Sequence, residues 1–261
     1  MNAELVSLND QLGEFLRYWR RQRGVSQLDL ALEIDVSQRH LSFVESGRSV
    51  PSRKLLLALS DALNVPLRER NALFLAAGYA PAYQEPHTED PSMATLMRAI
   101  DIMMTNHEPH PALLIDRYWN VLRTNSGAPR LFGSLIDLTQ WPRPRNLLEL
   151  VFHPDGLRPF VEDWEVVAAG LLQRVHREAL GQVLDPDLQK LLARLRNFPG
   201  VAELKSPLRP ESAVLPITFR KEGTRLSYFS LITTVGTPQS VTAQELRIEC
   251  MYPIDVTEKQ L

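Results

Sequence analysis

The sequence predicts an all-α N-terminal domain of five helices, followed by a larger α+β domain. Up to about residue 80, apolar residues recur at helical spacing and are interrupted by capping residues and glycines. A proline-rich stretch without a helical period, residues 81–92, indicates a linker. Beyond it, helical segments alternate with strand-like ones, so the expected domains are residues 1–80 and 93–261.

Composition limits the class of protein. The 261 residues suffice for two ordinary domains, and 44% hydrophobic with 23% charged residues is a globular composition. No apolar run reaches the roughly 18 residues of a membrane span, and the acidic N-terminus lacks the apolar core of a signal peptide. We therefore expect a cytoplasmic protein. The single cysteine, Cys250, excludes an internal disulfide and has no catalytic base beside it, which favours inert packing.

The charge distribution bears on nucleic-acid binding. The formal net charge is −2, but residues 1–80 contain ten Lys and Arg against nine Asp and Glu, a charge of +1. Such a domain has modest affinity for DNA of any sequence. Its positive residues are grouped at the end of the first helix and after the third: Arg17, Arg20, Arg21, Arg23, Arg48, Arg53 and Lys54. The location of these residues therefore matters more for DNA binding than the net charge of the domain.

Residues 26–48 predict two short helices joined by a tight turn. Ser26 and Ser37 are placed to cap the two helices, and Gly47 ends the second. The turn falls at Asp35, which must adopt a positive φ. The buried positions are Leu30, Ala31, Ile34, Val36, Leu41 and Val44. A plain pair of core helices explains these apolar residues, but it does not explain the polar arc on the second helix.

That arc lies opposite Leu41 and Val44 at 100° per residue. It consists of Gln38, Arg39, Ser42 and Phe43. The segment resembles the helix-turn-helix of Cro/repressor-like (XRE) DNA-binding proteins, including the Ser-Gln at 26–27 and the Glu-Ser-Gly-Arg at 45–48. The resemblance extends over residues 8–78 and implies a lambda-repressor-like fold whose third helix enters the major groove of operator DNA. One departure is Asp35, where the family usually has Gly.

The resemblance and the polar arc together assign expected roles. Gln27 fixes the register on the DNA backbone, while Gln38 and Arg39 meet base edges as Gln pairs with adenine and Arg with guanine. Phe43 touches a thymine methyl group, and Arg48 holds a phosphate. Glu45 orients a nearby arginine, whereas His40 either reaches a phosphate or flanks the core. The expected DNA-binding set is Gln27, Ser37, Gln38, Arg39, Ser42, Phe43 and Arg48.

The second domain follows a different pattern. Residues 93–105 are helical, HPALLIDRYWNVLRT (110–124) predicts two strands turning at 116–118, and NSGAPRLFG (125–133) predicts a short helix. Residues 157–198 are helical. The last stretch predicts three strands, with turns at Gly223 and at 236–238. This order indicates an α+β sensor of PAS-like build, which we expect to supply most of the contact in a homodimer.

Three stretches carry a closer resemblance: residues 110–133, the helix around Trp164, and GTPQSVTAQELRIECMYPID (236–255). They resemble the ligand-binding domain of MmyB-like transcription regulators. That resemblance implies a small apolar ligand, with a fatty acid as the proposed type, and no other cofactor. The candidate pocket residues are Leu114, Trp119, Val121, Phe132, Trp164, Leu171, Phe219, Tyr228 and Leu231. The alternative is a second domain that only dimerises or binds a protein partner.

Catalytic chemistry has little support. His107 and His110 lie among prolines and have no third partner at ligand spacing, so no metal site is predicted. The sequence contains no Gly-rich phosphate loop and no nucleophile–base pair. We therefore expect a ligand-responsive, DNA-binding regulator that is not an enzyme.

Overall fold

The computed structural model describes residues 8–179, 185–204 and 214–254. The chain separates into two compact units, Met1–Glu85 with Gln239–Val241, and Pro86–Pro238 with Thr242–Leu261. The all-α and α+β architecture predicted from the sequence is confirmed. No helix among the described residues is long and apolar enough to cross a membrane.

The first unit contains α1 (Leu8–Gln22), α2 (Gln27–Glu33), α3 (Gln38–Glu45), α4 (Arg53–Ala62) and α5 (Leu67–Ala76). The Ser26 and Ser37 hydroxyls accept from the backbone N–H groups of Asp29 and His40, so both predicted caps are present. Asp35 has φ 54°, the positive value predicted for the turn. The helices surround a core that includes Leu12, Leu16, Leu30, Leu41, Val44, Leu56, Leu59 and Phe74.

The end of the first unit differs from the expected boundary at residue 80. Asn71 is buried, and its side-chain oxygen accepts from the backbone N–H groups of Ala82 and Tyr83, each at 3.0 Å. Its amide nitrogen donates to the Tyr83 carbonyl at 2.8 Å. The first residues of the expected linker are therefore held against α5 by hydrogen bonds that the composition of the stretch does not reveal.

The second unit contains α6 (Ala94–Asn106), β1 (Ala112–Ile115), β2 (Val121–Thr124), α7 (Gly127–Leu135), α8 (Leu147–Phe152), α9 (Trp164–Ala179), α10 (Pro186–Arg196), β3 (Ile217–Lys221), β4 (Thr224–Thr234) and β5 (Arg247–Pro253). Another short helix, α11 (Val241–Glu245), precedes β5. Single 3₁₀ turns occur at Pro91–Met93, Leu138–Gln140 and Arg158–Phe160. The other predicted elements are present, but the helical stretch expected at 157–198 consists of α9 and α10, and its residues 180–184 lie outside the described residues. The α8 and α11 helices are too short to be indicated by periodicity.

The five strands form one antiparallel sheet in the order β2-β1-β5-β4-β3, consistent with the predicted PAS-like build. Glu222 (φ 50°) and Gly223 (φ 84°) form the predicted tight turn between β3 and β4. The second predicted turn, at 236–238, is part of a longer connection that includes α11. The β4 and β5 strands nevertheless pair along seven positions, from Tyr228–Pro253 to Thr234–Arg247.

Both faces of the sheet are covered around β1. On one face, Leu113 and Ile115 join a large core formed with α7, α8, α9 and α10. On the other, Ala112 and Leu114 pack against α6 through Met97, Ile100 and Met104. Because both faces are buried, the strand reads as a continuous apolar run instead of an alternating one.

The turn between α2 and α3 yields a first prediction. Asp35→Val should lower the unfolding free energy of the first unit by about 1–2 kcal/mol, because a β-branched residue resists positive φ. Asp35→Gly should be neutral or mildly stabilising, since Gly adopts this conformation without strain. Amide hydrogen exchange of α2 and α3 in the full chain measures the change.

Glu33→Val is the matched control for that prediction, because Glu33 is exposed near the end of α2. Its effect should stay within about 0.5 kcal/mol. If the amides of α2 and α3 exchanged as slowly in the Asp35→Val variant as in the wild type, the positive φ assigned to Asp35 would be wrong.

Candidate nucleic-acid interface and interior cavity

The first turn of α3 presents polar side chains to solvent. Gln38 and Arg39 are exposed, whereas Ser42 and Phe43 are half-buried one turn further along. The Ser37 hydroxyl accepts from the His40 backbone N–H at 3.1 Å, so this serine acts as the cap of the helix. The structure thus places Gln38 and Arg39 at the helix end that meets base edges when such a helix lies in a major groove.

Phe43 brings two arginines together. The guanidinium carbons of Arg39 and Arg48 lie 5.3 Å and 5.9 Å from the centre of its ring. These distances are those of cation–π contacts, which hold a guanidinium without neutralising it. The Arg48 backbone N–H also donates to the Phe43 carbonyl at 2.9 Å. The loop after α3 therefore returns Arg48 to the same surface as Arg39, an arrangement that sequence spacing alone does not show.

Glu45 lies beneath this surface and is only 2% exposed. The Arg20 guanidinium donates to it from Nε at 2.7 Å and from Nη2 at 3.0 Å, and Gln27 Nε2 donates at 2.7 Å. The hydrogen bond to Glu45 raises the pKa of the Arg20 guanidinium. Glu45 therefore orients an arginine, as expected, and also fixes Gln27 at the start of α2.

The basic residues of the first unit differ in how firmly the fold holds them. Arg20 is held by Glu45, and Arg23 donates to the carbonyls of Leu63 and Asn64 at 2.8 Å each. These two side chains stabilise the fold. Arg21, Arg39, Arg48 and Lys54 are exposed, as is Arg53, whose guanidinium packs on the Phe74 ring and contacts the Ala80 carbonyl at 3.4 Å. The positive charge available to a phosphate backbone is thus smaller than the sequence count suggests.

The second unit contains a small cavity of about 30 Å³ inside its large core. Four of the nine candidate pocket residues line it: Trp119, Phe132, Leu171 and Phe219. Trp164 belongs to the same core but donates from Nε1 to the Val151 carbonyl at 3.0 Å. Val121 and Tyr228 pack at the edge of this core, and burial raises the pKa of the Tyr228 phenol.

The two remaining candidates do not face this interior, contrary to expectation. Leu114 is adjacent to Leu113 in β1, so its side chain points to the opposite face and packs against α6. Leu231 pairs with Cys250 on that same opposite face, and it is 51% exposed. The error has one cause: both faces of the sheet carry apolar residues, so hydrophobicity does not identify the inward face.

One charged residue lines the cavity and belongs to a network of charged side chains beside it. Glu249 lines it, is 5% exposed, and has a long contact of 3.4 Å from Oε2 to Arg174 Nη1. Arg174 donates from Nε to Glu178 at 3.0 Å, and its guanidinium lies 4.1 Å from the Trp119 ring. Glu178 also accepts from Arg247 at 2.6 Å and from the Trp119 indole at 3.2 Å. Sequence reasoning missed this network, because charged residues in strands and helices usually lie on the surface.

A wider cleft of about 690 Å³ opens on the surface of the second unit. Its walls include Trp141, His153 and Phe160, none of which the sequence analysis singled out. The His153 and Trp141 rings meet edge-to-face at 5.1 Å, and His153 Nδ1 accepts from the Asp155 backbone N–H at 3.0 Å. These contacts shape the cleft by local packing.

The remaining candidate residues have structural partners. His107 Nε2 bonds to the Met251 carbonyl at 2.8 Å, and its ring packs on Tyr252. Within the described ranges, no group of three or more His, Cys, Asp or Glu side chains is arranged to hold a metal ion. Cys250 is buried in β5, and burial, with a smaller contribution from Glu249, raises the pKa of its thiol.

Comparison with known proteins matches both units to regulators. Residues 96–261 match the family model of the MmyB-like transcription regulator ligand binding domain, and residues 16–70 match a helix-turn-helix model. Multiprotein-bridging factor 1 of Debaryomyces hansenii is 34% identical over 64 residues, which cover 24% of this chain and 43% of that protein. The chain therefore spans less than half the length of this curated relative.

Two solved structures are also similar to parts of the chain. The clp gene regulator ClgR from C. glutamicum is 35% identical, with 30% of this chain and 96% of that chain covered and a TM-score of 0.26. The PAS domain of an HTR-like protein from Haloarcula marismortui is 9% identical, with 62% and 98% covered and a TM-score of 0.26. Because the ligand-binding-domain model spans more than half of the chain, this protein belongs to the family of MmyB-like transcription regulators, with a helix-turn-helix domain ahead of the ligand-binding domain.

Proposed function

We propose that this DNA-binding regulator reads a specific operator with the first turn of α3, and that its second unit holds a small apolar ligand. The observation that carries the DNA proposal is the exposed pair Gln38 and Arg39 beside Arg48, on a helix whose other face is fully packed. The regulator acts where its DNA is, in the cytoplasm, and catalyses no reaction.

Base readout falls to Gln38 and Arg39. A Gln side chain pairs with adenine through two hydrogen bonds, and an Arg side chain does so with guanine. The cation–π contact with Phe43 limits the directions that the Arg39 guanidinium samples, so less freedom is lost on binding. Phe43 itself presents a ring edge for a thymine methyl group, and the Ser42 hydroxyl lies on the same arc.

Residues at the ends of α2 and α3 contact the phosphate backbone of the DNA. Arg48 is exposed and follows the helix, which places a positive charge where a phosphate passes. Gln27 and Ser37 lie at the N-termini of α2 and α3, where backbone N–H groups favour a phosphate. These contacts set register and contribute affinity, whereas they carry no sequence information.

The ligand proposal is supported by family membership and by the cavity that Trp119, Phe132, Leu171 and Phe219 line. An apolar wall with few polar groups is typical of small-molecule sites. A ligand alters DNA affinity only through unequal binding to two forms of the protein, which is typically worth about 1–3 kcal/mol. In the alternative, the second unit only dimerises or binds a protein partner.

The base and backbone roles predict different mutant behaviour. Gln38→Ala and Arg39→Ala should each lower the preference for operator over random DNA by about 1–3 kcal/mol. Arg48→Ala should weaken all DNA similarly and flatten the salt dependence, because it removes a phosphate contact. Titrations of operator and random duplexes at several salt concentrations measure both effects.

The matched control is Arg130→Ala, which removes an arginine whose side chain is 63% exposed in the second unit. This variant should change neither the preference for operator over random DNA nor the salt dependence of binding. If all three α3-surface variants affected operator and random DNA alike, the assignment of base readers would be contradicted.

We also expect the full chain to dimerise. A domain of charge +1 contacts few phosphates, so a second copy is needed for tight binding. The second unit exposes Ile102 on α6 (56%) and Leu231 on β4 (51%), apolar side chains suited to a subunit contact. Sedimentation should show a dimer that binds two half-sites about 34–36 Å apart.

Insertion of about five base pairs between the half-sites turns one of them to the opposite side of the duplex and should abolish joint binding. A sedimenting monomer that fills a single half-site with full affinity would contradict the dimer proposal.

A further inference from the structure

The interior cavity has one charged wall residue among apolar and aromatic ones. Glu249 contributes a carboxylate, whereas the neighbouring wall positions include Leu113, Phe132 and Met251. A carboxylate beside apolar side chains is costly unless its oxygens are hydrogen-bonded. The bonding of Glu249 therefore indicates what the cavity is built to hold.

Glu249 is incompletely bonded compared with its neighbour. Glu178 accepts three hydrogen bonds between 2.6 Å and 3.2 Å, whereas the contact from Glu249 Oε2 to Arg174 Nη1 is 3.4 Å long. Glu249 thus keeps capacity to accept a hydrogen bond. The residue is 5% exposed, and its carboxylate lines the cavity.

Two buried donors on the same side of the sheet also lack a hydrogen-bond partner among the described residues, although neither of them lines the cavity. Arg174 Nη2 is buried and has no hydrogen-bond partner within the described ranges, and the same holds for the Ser230 hydroxyl. Ser230 pairs with Met251 across the β4–β5 ladder, and Glu249 belongs to the pair two positions away. The side chains of Ser230 and Glu249 therefore point to the same face of the sheet. Buried polar groups without partners are rare in native proteins and call for an explanation.

We infer that the ligand carries, at one end of an apolar body, a neutral group that donates a hydrogen bond, such as a hydroxyl or primary amide. Such a group donates to the carboxylate of Glu249, which lines the cavity. An ionised carboxylate only accepts, and it brings a second negative charge next to Glu249 in a largely buried site. The ligand class is therefore an apolar alcohol or amide, in contrast to the fatty acid that family resemblance implies.

The cavity volume agrees with this polar end. About 30 Å³ accommodates a group the size of one water molecule, such as a hydroxyl. The apolar body requires wall side chains to move, including the Phe132 and Phe219 rings, whose centres lie 6.2 Å apart. Binding of the ligand in the cavity therefore changes how side chains of the second unit pack. The inference rests on the proposed ligand function of this unit.

The test compares four probes of one chain length on the full-length protein: 1-octanol, octanamide, octanoate and methyl octanoate. By calorimetric titration and thermal shift, 1-octanol and octanamide should bind about tenfold more tightly than octanoate and methyl octanoate, because only they donate to Glu249. Methyl octanoate has no donor and no charge, so it shows whether octanoate binds weakly because it cannot donate or because it is negatively charged.

Glu249→Gln supplies the matching change in the protein. Its amide donates to a carboxylate, so octanoate should bind about tenfold more tightly than to the wild type, while 1-octanol changes little. Glu162→Gln is the control, because Glu162 pairs with Arg225 and does not line the cavity. It should leave all four affinities unchanged.

The outcomes separate the two proposals. If octanoate binds the wild type most tightly, or if methyl octanoate equals 1-octanol, the inferred ligand class is wrong and the ligand function stands. If none of the four probes binds the wild type, both proposals fail. The wild-type comparison decides the matter even if the Glu249→Gln variant does not fold.

Discussion

The buried carboxylate of Glu45 holds the first unit in the arrangement on which its function depends. It accepts from Arg20 of α1 and Gln27 of α2 while lying at the end of α3, so one side chain joins three helices. Gly13 allows α1 to come this close, since a Cβ there would lie 2.3 Å from the Glu45 carbonyl oxygen. With one face of α3 fixed in this way, Gln38 and Arg39 are directed outward. Removing one partner of such a partly buried pair is destabilising, because it leaves the other charge without its partner.

The second unit uses buried charges at two places. Arg117, 3% exposed at the β1–β2 turn, pairs through one terminal nitrogen with Asp185 at the start of α10 and through the other with Glu245 of α11. Asp185 also accepts from the backbone N–H groups of Asp187 and Leu188, which caps α10. These contacts join parts of the chain that are distant in sequence. The network around Glu249 likewise joins α9 to β5, through Arg174, Glu178 and Arg247.

Local chemistry made much of the first unit predictable. Serine caps, terminal glycines and the positive φ of Asp35 follow from a few neighbouring residues. Glu45 was expected to meet an arginine, but its contact with Gln27, 18 residues away, needs the tertiary fold.

In the second unit, the order of elements was predictable from periodicity. The inward face of the sheet was not, because both faces are apolar, and Leu114 was assigned to the wrong side. Charged residues at 174, 178, 247 and 249 resemble surface positions in a sequence and meet only after folding.

The position of Glu45 beneath the proposed DNA-reading surface is tested most directly by Glu45→Gln, with unfolding free energy and affinity for random duplex DNA measured on the same preparation. Loss of the charge beside Arg20 should lower the unfolding free energy by about 1–3 kcal/mol. The folded variant should bind random DNA no more tightly than the wild type, because the carboxylate does not face the phosphates. Unchanged stability together with tighter binding to every duplex would place Glu45 on the DNA surface and contradict this account.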